Sequence, residues 1–262
     1  LREGLQSLLA LASNFTGLSY DLARMYIGTA HSICHRILND RDFSEGRSRP
    51  APIRLMDATE QFFFVKRRSV WERLLESIDA EDEIPINELF LKNRPKYPNR
   101  FKAFTDCIAT FNRFSEECLD PDEAMDSIEG DESEETYNTL LTLYREYLAI
   151  LKDQRVEMCD LSLVQSEALE LVRKHPEASE RFDHVIVDEY QDTNHVQEQL
   201  FFALAGKGNI CVVGDDDQAL YRFRGSTVEN FVQFQSRVAR HLGRESTRIP
   251  LSINYRSKKE IV

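Results

Sequence analysis

Apolar positions recur along this chain with two different periods. In residues 1–9 leucines return at helical spacing, and residues 31–38 also form a helix-like run. Residues 40–151 again place apolar side chains at helical spacings, for example at 62–65 and 101–114, and prolines separate the segments. This pattern predicts a region that is helical throughout.

The pattern changes after about residue 153. Residues 183–187 and 209–213 are short β-branched runs that end in acidic residues, and residues 249–253 form a weaker third run. Amphipathic helical stretches separate these runs. Buried apolar strands that alternate with helices predict a parallel α/β sheet, whose active crevice lies beyond the carboxyl ends of the strands.

Composition narrows the class of protein. The chain has 262 residues, 42% of them hydrophobic and 30% charged, which is typical of a soluble globular protein. No apolar run approaches the roughly 20 residues that span a bilayer. Five cysteines at irregular spacing, with no CxxC pair, argue against disulfides and zinc clusters and predict a cytoplasmic protein.

The net charge of −12 argues against broad, nonspecific affinity for DNA. A protein that grips a single strand, however, needs only a local groove with stacking side chains. Acidic residues cluster without any Lys or Arg in residues 116–135, which predicts a solvated loop rather than a binding site.

Residues 185–193, VIVDEYQDT, carry the strongest chemical signal. An apolar strand delivers Asp188 and Glu189 to the sheet edge, where Asp188 can hold Mg²⁺ and Glu189 can polarise a water molecule. The structural alternative is a helix N-terminus decorated with acids. The QDT that follows the two carboxylates favours the metal site.

Residues 212–225, VVGDDDQALYRFRG, carry the second signal. The neutral amide of Gln218 can contact a γ-phosphate. Tyr221, Phe223 and Arg224 interleave aromatic and basic side chains, as a stacking platform for bases requires. Core packing is the alternative for the two aromatic residues. The spacing of Asp215 and its neighbours does not match an EF-hand calcium loop.

Two weaker signals remain. Tyr255 and Arg256 follow the third strand-like run; an Arg there can neutralise charge on a transferred phosphoryl group, and a Tyr can stack on adenine. His31 and His35 stand four apart on a helix, but no third ligand accompanies them, so a structural role is favoured over a zinc site.

Together these segments resemble the UvrD/Rep branch of superfamily 1 helicases. DEYQDT is similar to the family's Walker B motif, GDDDQALYRFRGS to its coupling motif, and LSINYRS to its fourth motif, in the same order. Residues 27–38 are similar to a TFHS…IL segment that touches single-stranded DNA, with Ala30 replacing the usual aromatic residue. Residues 156–161 resemble a segment that leads back from a helical insertion called 1B.

The resemblance implies a role for each matching residue. Asp188 and Glu189 would hold Mg²⁺, Glu189 would activate water, and Gln218 and Arg256 would reach the γ-phosphate of ATP. Tyr255 would stack against adenine. The single strand would be contacted by Thr29, His31, Tyr221, Phe223 and Arg224.

The resemblance also implies a fold and an activity. The fold would be a RecA-like parallel sheet formed by residues 1–39 and 152–262 of motor domain 1A, with the helical insertion at 40–151. The parent protein would be an ATP-dependent DNA helicase that moves 3′ to 5′ in DNA repair or replication, with single-stranded DNA and duplex junctions as partners. Two alternatives are a non-catalytic binding module and the helicase part of a helicase–nuclease.

The phosphate loop of such enzymes, GxxxxGK[ST], does not occur in these 262 residues. The nearest match, Gly206-Lys207, is followed by Gly208, and Phe201 stands where the first glycine of the loop belongs. We therefore expect a fragment of a longer protein, inactive as an ATPase by itself.

Overall fold

The computed structural model describes residues 2–19, 25–40, 43, 53–90, 99–128, 134–218 and 231–253. The chain divides into two compact units, Leu1–His175 and Pro176–Val262. In its described part, the first unit contains α1 (Arg2–Thr16), α2 (Ala30–Asn39), β1 (Arg54–Met56), α3 (Ala58–Val65), α4 (Arg68–Glu76), α5 (Ile84–Phe90), α6 (Arg100–Glu116), α7 (Pro121–Ser127), α8 (Glu134–Lys152), β2 (Met158–Asp160) and α9 (Leu163–Lys174).

Short polar residues begin several of these helices. The Thr29 side chain accepts from a backbone N–H at the start of α2, and Asn99 does the same for α6. Asp57 and Glu60 form a reciprocal capping box at the start of α3. Each cap satisfies backbone donors that have no partner inside the helix, which stabilises the helix by about 1 kcal/mol.

Aromatic side chains form much of the core of the first unit. Trp71 is fully buried and packs edge-on against Phe104, with ring centroids 4.4 Å apart. Phe111 stacks on Tyr147 at 4.8 Å. These contacts join helices α4, α6 and α8, as the helical spacing of the apolar residues predicts.

One strand interrupts the region that was predicted to be helical throughout. β1 pairs in parallel with β2, with Arg54 opposite Met158 and Met56 opposite Asp160. The prediction is wrong at this place because the pairing partner lies far along the chain. A short strand of this kind has no signal within its own sequence window.

A buried polar network holds the end of β2. The carboxylate of Asp160 accepts the backbone N–H groups of Ser162 and Leu163 at one oxygen and the hydroxyl of Tyr147 at the other, at 2.8 to 2.9 Å. Burial nevertheless raises the pKa of Asp160 above its ordinary value. The three donors offset part of the cost of desolvating this carboxyl group.

Helix α2 packs against α9, so the first and third predicted segments contact each other within the first unit. The division into residues 1–39, 40–151 and 152–262 stays a prediction.

The second unit contains, in its described part, a 3₁₀ turn at Pro176–Arg181, β3 (Val185–Val187), a 3₁₀ turn at Tyr190–Asp192, α10 (His195–Leu204), β4 (Ile210–Val212), a 3₁₀ turn at Asp216–Gln218 and α11 (Phe234–Leu242). β3 pairs in parallel with β4, with Val185 opposite Ile210. The first two predicted strands are thus confirmed.

Two expectations for this unit are wrong. Residues 249–253 form no strand: they pair with no other described strand, and their isoleucine and leucine side chains are exposed. β3 is not buried on both faces either, because no second layer of described residues covers the middle of the strand, where Ile186 is 75% exposed.

The described chain is therefore a helix-rich α/β protein with two separate two-stranded parallel sheets. None of its described helices combines the length and apolar character that a membrane crossing requires.

Candidate functional site

The carboxyl ends of β3 and β4 lie side by side, because the strands are parallel and in register. The pairing continues past both strands: the N–H of Val213 donates to the carbonyl of Val187 at 2.8 Å, and the N–H of Tyr190 donates to the carbonyl of Val213 at 3.0 Å. These bonds bring residues 188–191 next to residues 213–215.

Asp188 and Glu189 are both exposed at this edge. The Asp188 carboxylate accepts the N–H of Glu189 through Oδ1 at 3.0 Å. Glu189 has φ 52° and ψ 43°, a left-handed conformation that is unfavourable for a residue with a side chain by roughly 1–2 kcal/mol. The turn directs two neighbouring carboxylates to the solvent at the strand end.

Gln191 connects the two strand ends. Its side chain is only 2% exposed; Nε2 donates to Glu189 Oε2 at 2.7 Å, and Oε1 accepts the N–H of Asp215 at 3.1 Å. The Asp215 carboxylate in turn accepts from Nε2 of Gln218 at 2.7 Å. A chain of hydrogen bonds, which passes through the backbone N–H and then the carboxylate of Asp215, therefore runs from Glu189 through Gln191 to Gln218.

Sequence reasoning missed both intermediate residues of this chain. The sequence marks Gln191 only as part of the DEYQDT motif and Asp215 only as an acidic residue after a strand. The available signal was a polar amide two residues after the carboxylates, but its partner becomes visible only when the register of β3 and β4 is known.

Gly214 is required by the close approach of Gln191. A Cβ at position 214 would stand 2.5 Å from Oε1 of Gln191, 3.2 Å from Cε2 of Phe231 and 3.3 Å from the backbone nitrogen of Tyr190. No larger residue fits without moving this amide. The glycine of the second motif thus serves the hydrogen-bond chain.

A buried ion pair between Glu198 and Arg237 holds Tyr190, the first residue of the turn after β3. The hydroxyl of Tyr190 donates to Oε1 of Glu198 at 2.9 Å, and Nε of Arg237 donates to the same oxygen at 2.7 Å. A second contact joins Arg237 Nη2 to Glu198 Oε2. Glu198 is fully buried, and burial together with this carboxylate raises the pKa of Tyr190. The tyrosine is thus locked as a hydrogen-bond donor.

The predicted DNA contacts Thr29 and His31 lie in the first unit, at the start of α2. Thr29 is the N-cap, and Nε2 of His31 lies 3.1 Å from Nε2 of Gln165 on α9. Because Gln165 is the donor, this nitrogen of His31 is the acceptor and carries no proton. Burial lowers the pKa of His31.

The two histidines of α2 do not face one metal ion. Nε2 of His35 lies 3.1 Å from the carbonyl of Ile53, whereas His31 contacts Gln165. Within the described residues, no group of three or more His, Cys, Asp or Glu side chains could hold a metal ion.

The other predicted site residues lie outside the described part of the chain, namely Tyr221, Phe223, Arg224, Tyr255 and Arg256. The resemblance implies that Asp188, Glu189, Gln218 and Arg256 act on one ATP molecule; of these, the structure brings Asp188, Glu189 and Gln218 to neighbouring strand ends. The chemistry of the two exposed carboxylates fits Mg²⁺, which prefers hard oxygen ligands and keeps several waters.

A family model described as UvrD/REP helicase N-terminal domain matches residues 1–239. The chain belongs to this family. Among curated UvrD/REP relatives, DNA helicase II of Haemophilus influenzae is 29% identical over 269 residues, covering 100% of the chain and 31% of the relative. ATP-dependent DNA helicase PcrA of Bacillus subtilis is 29% identical over 243 residues, 91% of the chain and 28% of the relative.

DNA helicase II of Escherichia coli is also 29% identical, over 241 residues that make up 91% of the chain and 29% of that protein. The chain thus spans less than a third of the length of these UvrD/REP relatives, which carry the names of ATP-dependent or DNA helicases.

Proposed function

We propose that the chain forms part of the ATP-hydrolysing motor of a DNA helicase that translocates 3′ to 5′ on single-stranded DNA in repair or replication. The hydrogen-bond chain from Glu189 to Gln218 is the observation that carries this proposal, since it joins the two motifs with which a motor would sense ATP. The membership in the UvrD/REP family supports the same activity.

The chemistry at the strand ends follows from the positions of the side chains. Asp188 and Glu189 would hold Mg²⁺, which neutralises charge on phosphate oxygens. Glu189, whose Oε2 is held by Gln191, would accept a proton from the attacking water through its other oxygen. Gln218 would orient toward the γ-phosphate, Arg256 would neutralise its charge, and Tyr255 would stack on adenine.

Gln218 also lies close in sequence to three residues that we propose as DNA contacts. Tyr221, Phe223 and Arg224 follow Gln218 shortly afterwards in the sequence, and we propose that they contact the single strand. We propose the same ligand for Thr29 and His31. A change at the γ-phosphate would then shift the stacking residues through only a few backbone bonds. For this motor we propose a RecA-like sheet with the helical 1B-like insertion between its two parts, a fold that membership in the UvrD/REP family supports.

Glu189→Gln in the full-length protein tests the catalytic part of the proposal. Loss of the proton acceptor should lower kcat for DNA-stimulated ATP hydrolysis by about 10²–10⁴-fold, while MgATP binding persists. Glu245→Gln, at an exposed carboxylate elsewhere in the same unit, is the matched control. Unchanged turnover in Glu189→Gln would remove Glu189 from the mechanism.

A second experiment concerns the 262-residue chain itself. Without GxxxxGK[ST], positioning of the phosphates is mostly lost, so ATP turnover should be negligible with or without single-stranded DNA. Robust DNA-stimulated turnover by this chain would show that another loop holds the phosphates.

A further inference from the structure

Tyr190 holds the backbone from which the Glu189 carboxylate extends. Glu189 has a left-handed conformation, with φ 52° and ψ 43°. The next residue, Tyr190, is fully buried, and its N–H donates to the carbonyl of Val213 at 3.0 Å. An unfavourable backbone conformation persists only where its surroundings enforce it, so the contacts of Tyr190 decide whether Glu189 keeps this conformation.

The ring of Tyr190 packs against residues that follow the second motif in the sequence. It meets Phe234, the first residue of α11, edge-on with ring centroids 5.3 Å apart, and Phe231 at 6.4 Å. Phe202 of α10 stacks on Phe234 at 6.2 Å. Aromatic pairs of this kind are favourable, so the ring should stay in place even without its hydroxyl.

The hydroxyl of Tyr190 is held by a charged pair rather than by a neutral acceptor. Oε1 of Glu198 accepts both this hydroxyl at 2.9 Å and Nε of Arg237 at 2.7 Å, while Nη2 of Arg237 contacts the other carboxylate oxygen. Glu198 is fully buried and Arg237 is mostly buried. Both carboxylate oxygens are therefore engaged, and the planar fork of the guanidinium fixes the orientation of the acceptor.

Stability alone does not account for this pair. The cost of taking two charges out of water often exceeds their mutual attraction, and apolar side chains of similar volume often replace a buried pair without loss. A charged pair with bidentate geometry adds one fixed arrangement, and in this protein that arrangement lies at the oxygen that receives the hydroxyl of Tyr190.

We propose that Glu198 and Arg237 are positioning residues of the candidate ATP site, which act through Tyr190 on the orientation of Glu189. These roles rest on the proposed function, in which Glu189 accepts a proton from the attacking water. Glu198 and Arg237 contact Tyr190 and each other, whereas Asp188 and Glu189 are exposed. The pair should therefore affect the chemical step and not the binding of MgATP, because a reacting group displaced by about 1 Å can lose about a hundredfold in rate.

Tyr190→Phe in the full-length protein removes the hydroxyl and keeps the ring. It should lower kcat for DNA-stimulated ATP hydrolysis about tenfold or more, with KM for ATP unchanged. Tyr144→Phe is the matched control, because the hydroxyl of Tyr144 is also buried, 2.9 Å from Oγ of Ser115 in the first unit. This control should keep the kcat of the parent. Both are assayed at a temperature at which thermal melts show every variant to be folded.

Arg237→Lys tests the pair from its other end. Lysine keeps the positive charge but lacks the planar fork, so the carboxylate of Glu198 gains rotational freedom and kcat should fall while KM stays unchanged. Arg73→Lys is the matched control, since Arg73 bridges Glu146 and Asp153 in the first unit. It should leave kcat unchanged.

The double variant Tyr190→Phe/Glu189→Gln tests the route of the effect. If the tyrosine acts only through Glu189, single-turnover hydrolysis by the double variant is no slower than by Glu189→Gln alone. A further loss in the double variant, the kcat of the parent in Tyr190→Phe or Arg237→Lys, a change confined to KM, or an equal loss in Tyr144→Phe would each overturn the proposal. If only Glu189→Gln loses turnover, the positioning roles are excluded while the proposed function stands; if Glu189→Gln keeps full turnover, both fail.

Discussion

Gly214→Ala should separate the two strand ends of the candidate site. The added methyl group would stand 2.5 Å from Oε1 of Gln191, well inside van der Waals contact, so the amide must move. Gln191 would then lose its bond to the N–H of Asp215 and would leave buried polar atoms without partners, at a cost of about 1–3 kcal/mol. The crowding of Phe231 and Tyr190 adds about 1–3 kcal/mol of overpacking.

Hydrogen exchange measured by mass spectrometry resolves this loss locally. A local destabilisation of about 3 kcal/mol corresponds to about a hundredfold faster exchange at the amides of Tyr190, Val213 and Asp215. Gly4→Ala is the matched control: a Cβ there meets nothing within 4 Å, and the residue lies in α1, so helix stability should rise by about 0.5–1 kcal/mol.

A double variant isolates the contact between Gly214 and Gln191. Gln191→Ala removes the atom that the methyl group would strike, so the two substitutions together should cost less than the sum of the single ones. Unchanged exchange in Gly214→Ala, or strict additivity with Gln191→Ala, would contradict the geometry on which the reasoning rests.

Three further predictions concern stability and are measured by urea denaturation. Arg237→Met should cost about 3–5 kcal/mol because it leaves the Glu198 carboxylate buried without a cation. Replacing both residues by Met should recover only part of that loss, because the buried hydroxyl of Tyr190 then loses its acceptor. Burial lowers the pKa of His31 from 6.5, so as the pH falls the unfolded chain binds the proton first. Stability should therefore decrease from about pH 6.5 down to the lowered pKa, and His31→Gln should reduce this dependence, while His241, whose pKa is also lowered by burial, keeps its own share of it. Tyr147→Phe should cost about 1–3 kcal/mol because Asp160 loses a buried donor. The first prediction is contradicted if Arg237→Met is as stable as the parent chain. The second is contradicted if His31→Gln leaves the pH dependence of stability unaltered, and the third if Tyr147→Phe does not change the free energy of unfolding.

The local sequence was sufficient to predict the elements whose own residues form a recognisable pattern. The β-branched runs that end at Asp188 and Gly214 form the strands β3 and β4, and capping residues such as Thr29 mark helix starts. Residues 249–253 have a similar composition but form no strand, because composition does not reveal whether a neighbouring strand offers its backbone. The prediction failed in the opposite way at β1, which lies in the region expected to be helical. This strand is short, and its partner β2 is distant in sequence.

The candidate site was predictable to the same extent. Parallel strands end at one edge, which was enough to expect Asp188, Glu189 and Gln218 near each other. The hydrogen bonds of Gln191 depend on the register of the strands, and the pair of Glu198 with Arg237 joins residues 39 apart in sequence. Pairings of this kind are set by tertiary packing and leave no periodic pattern. The roles of these residues in ATP hydrolysis stay predictions.

The pairing of β1 with β2 has a consequence for how this protein can vary. Because the two strands are adjacent, the whole segment from Asp57 to Glu157 leaves and rejoins the same two-stranded sheet. The surfaces of its helices that contact neither α9 nor β2 can therefore vary in charge and shape while the departure and return points stay fixed. Because β1 and β2 are parallel, the segment leaves at one end of the strand pair and returns at the other, so any replacement must cross the length of the two strands.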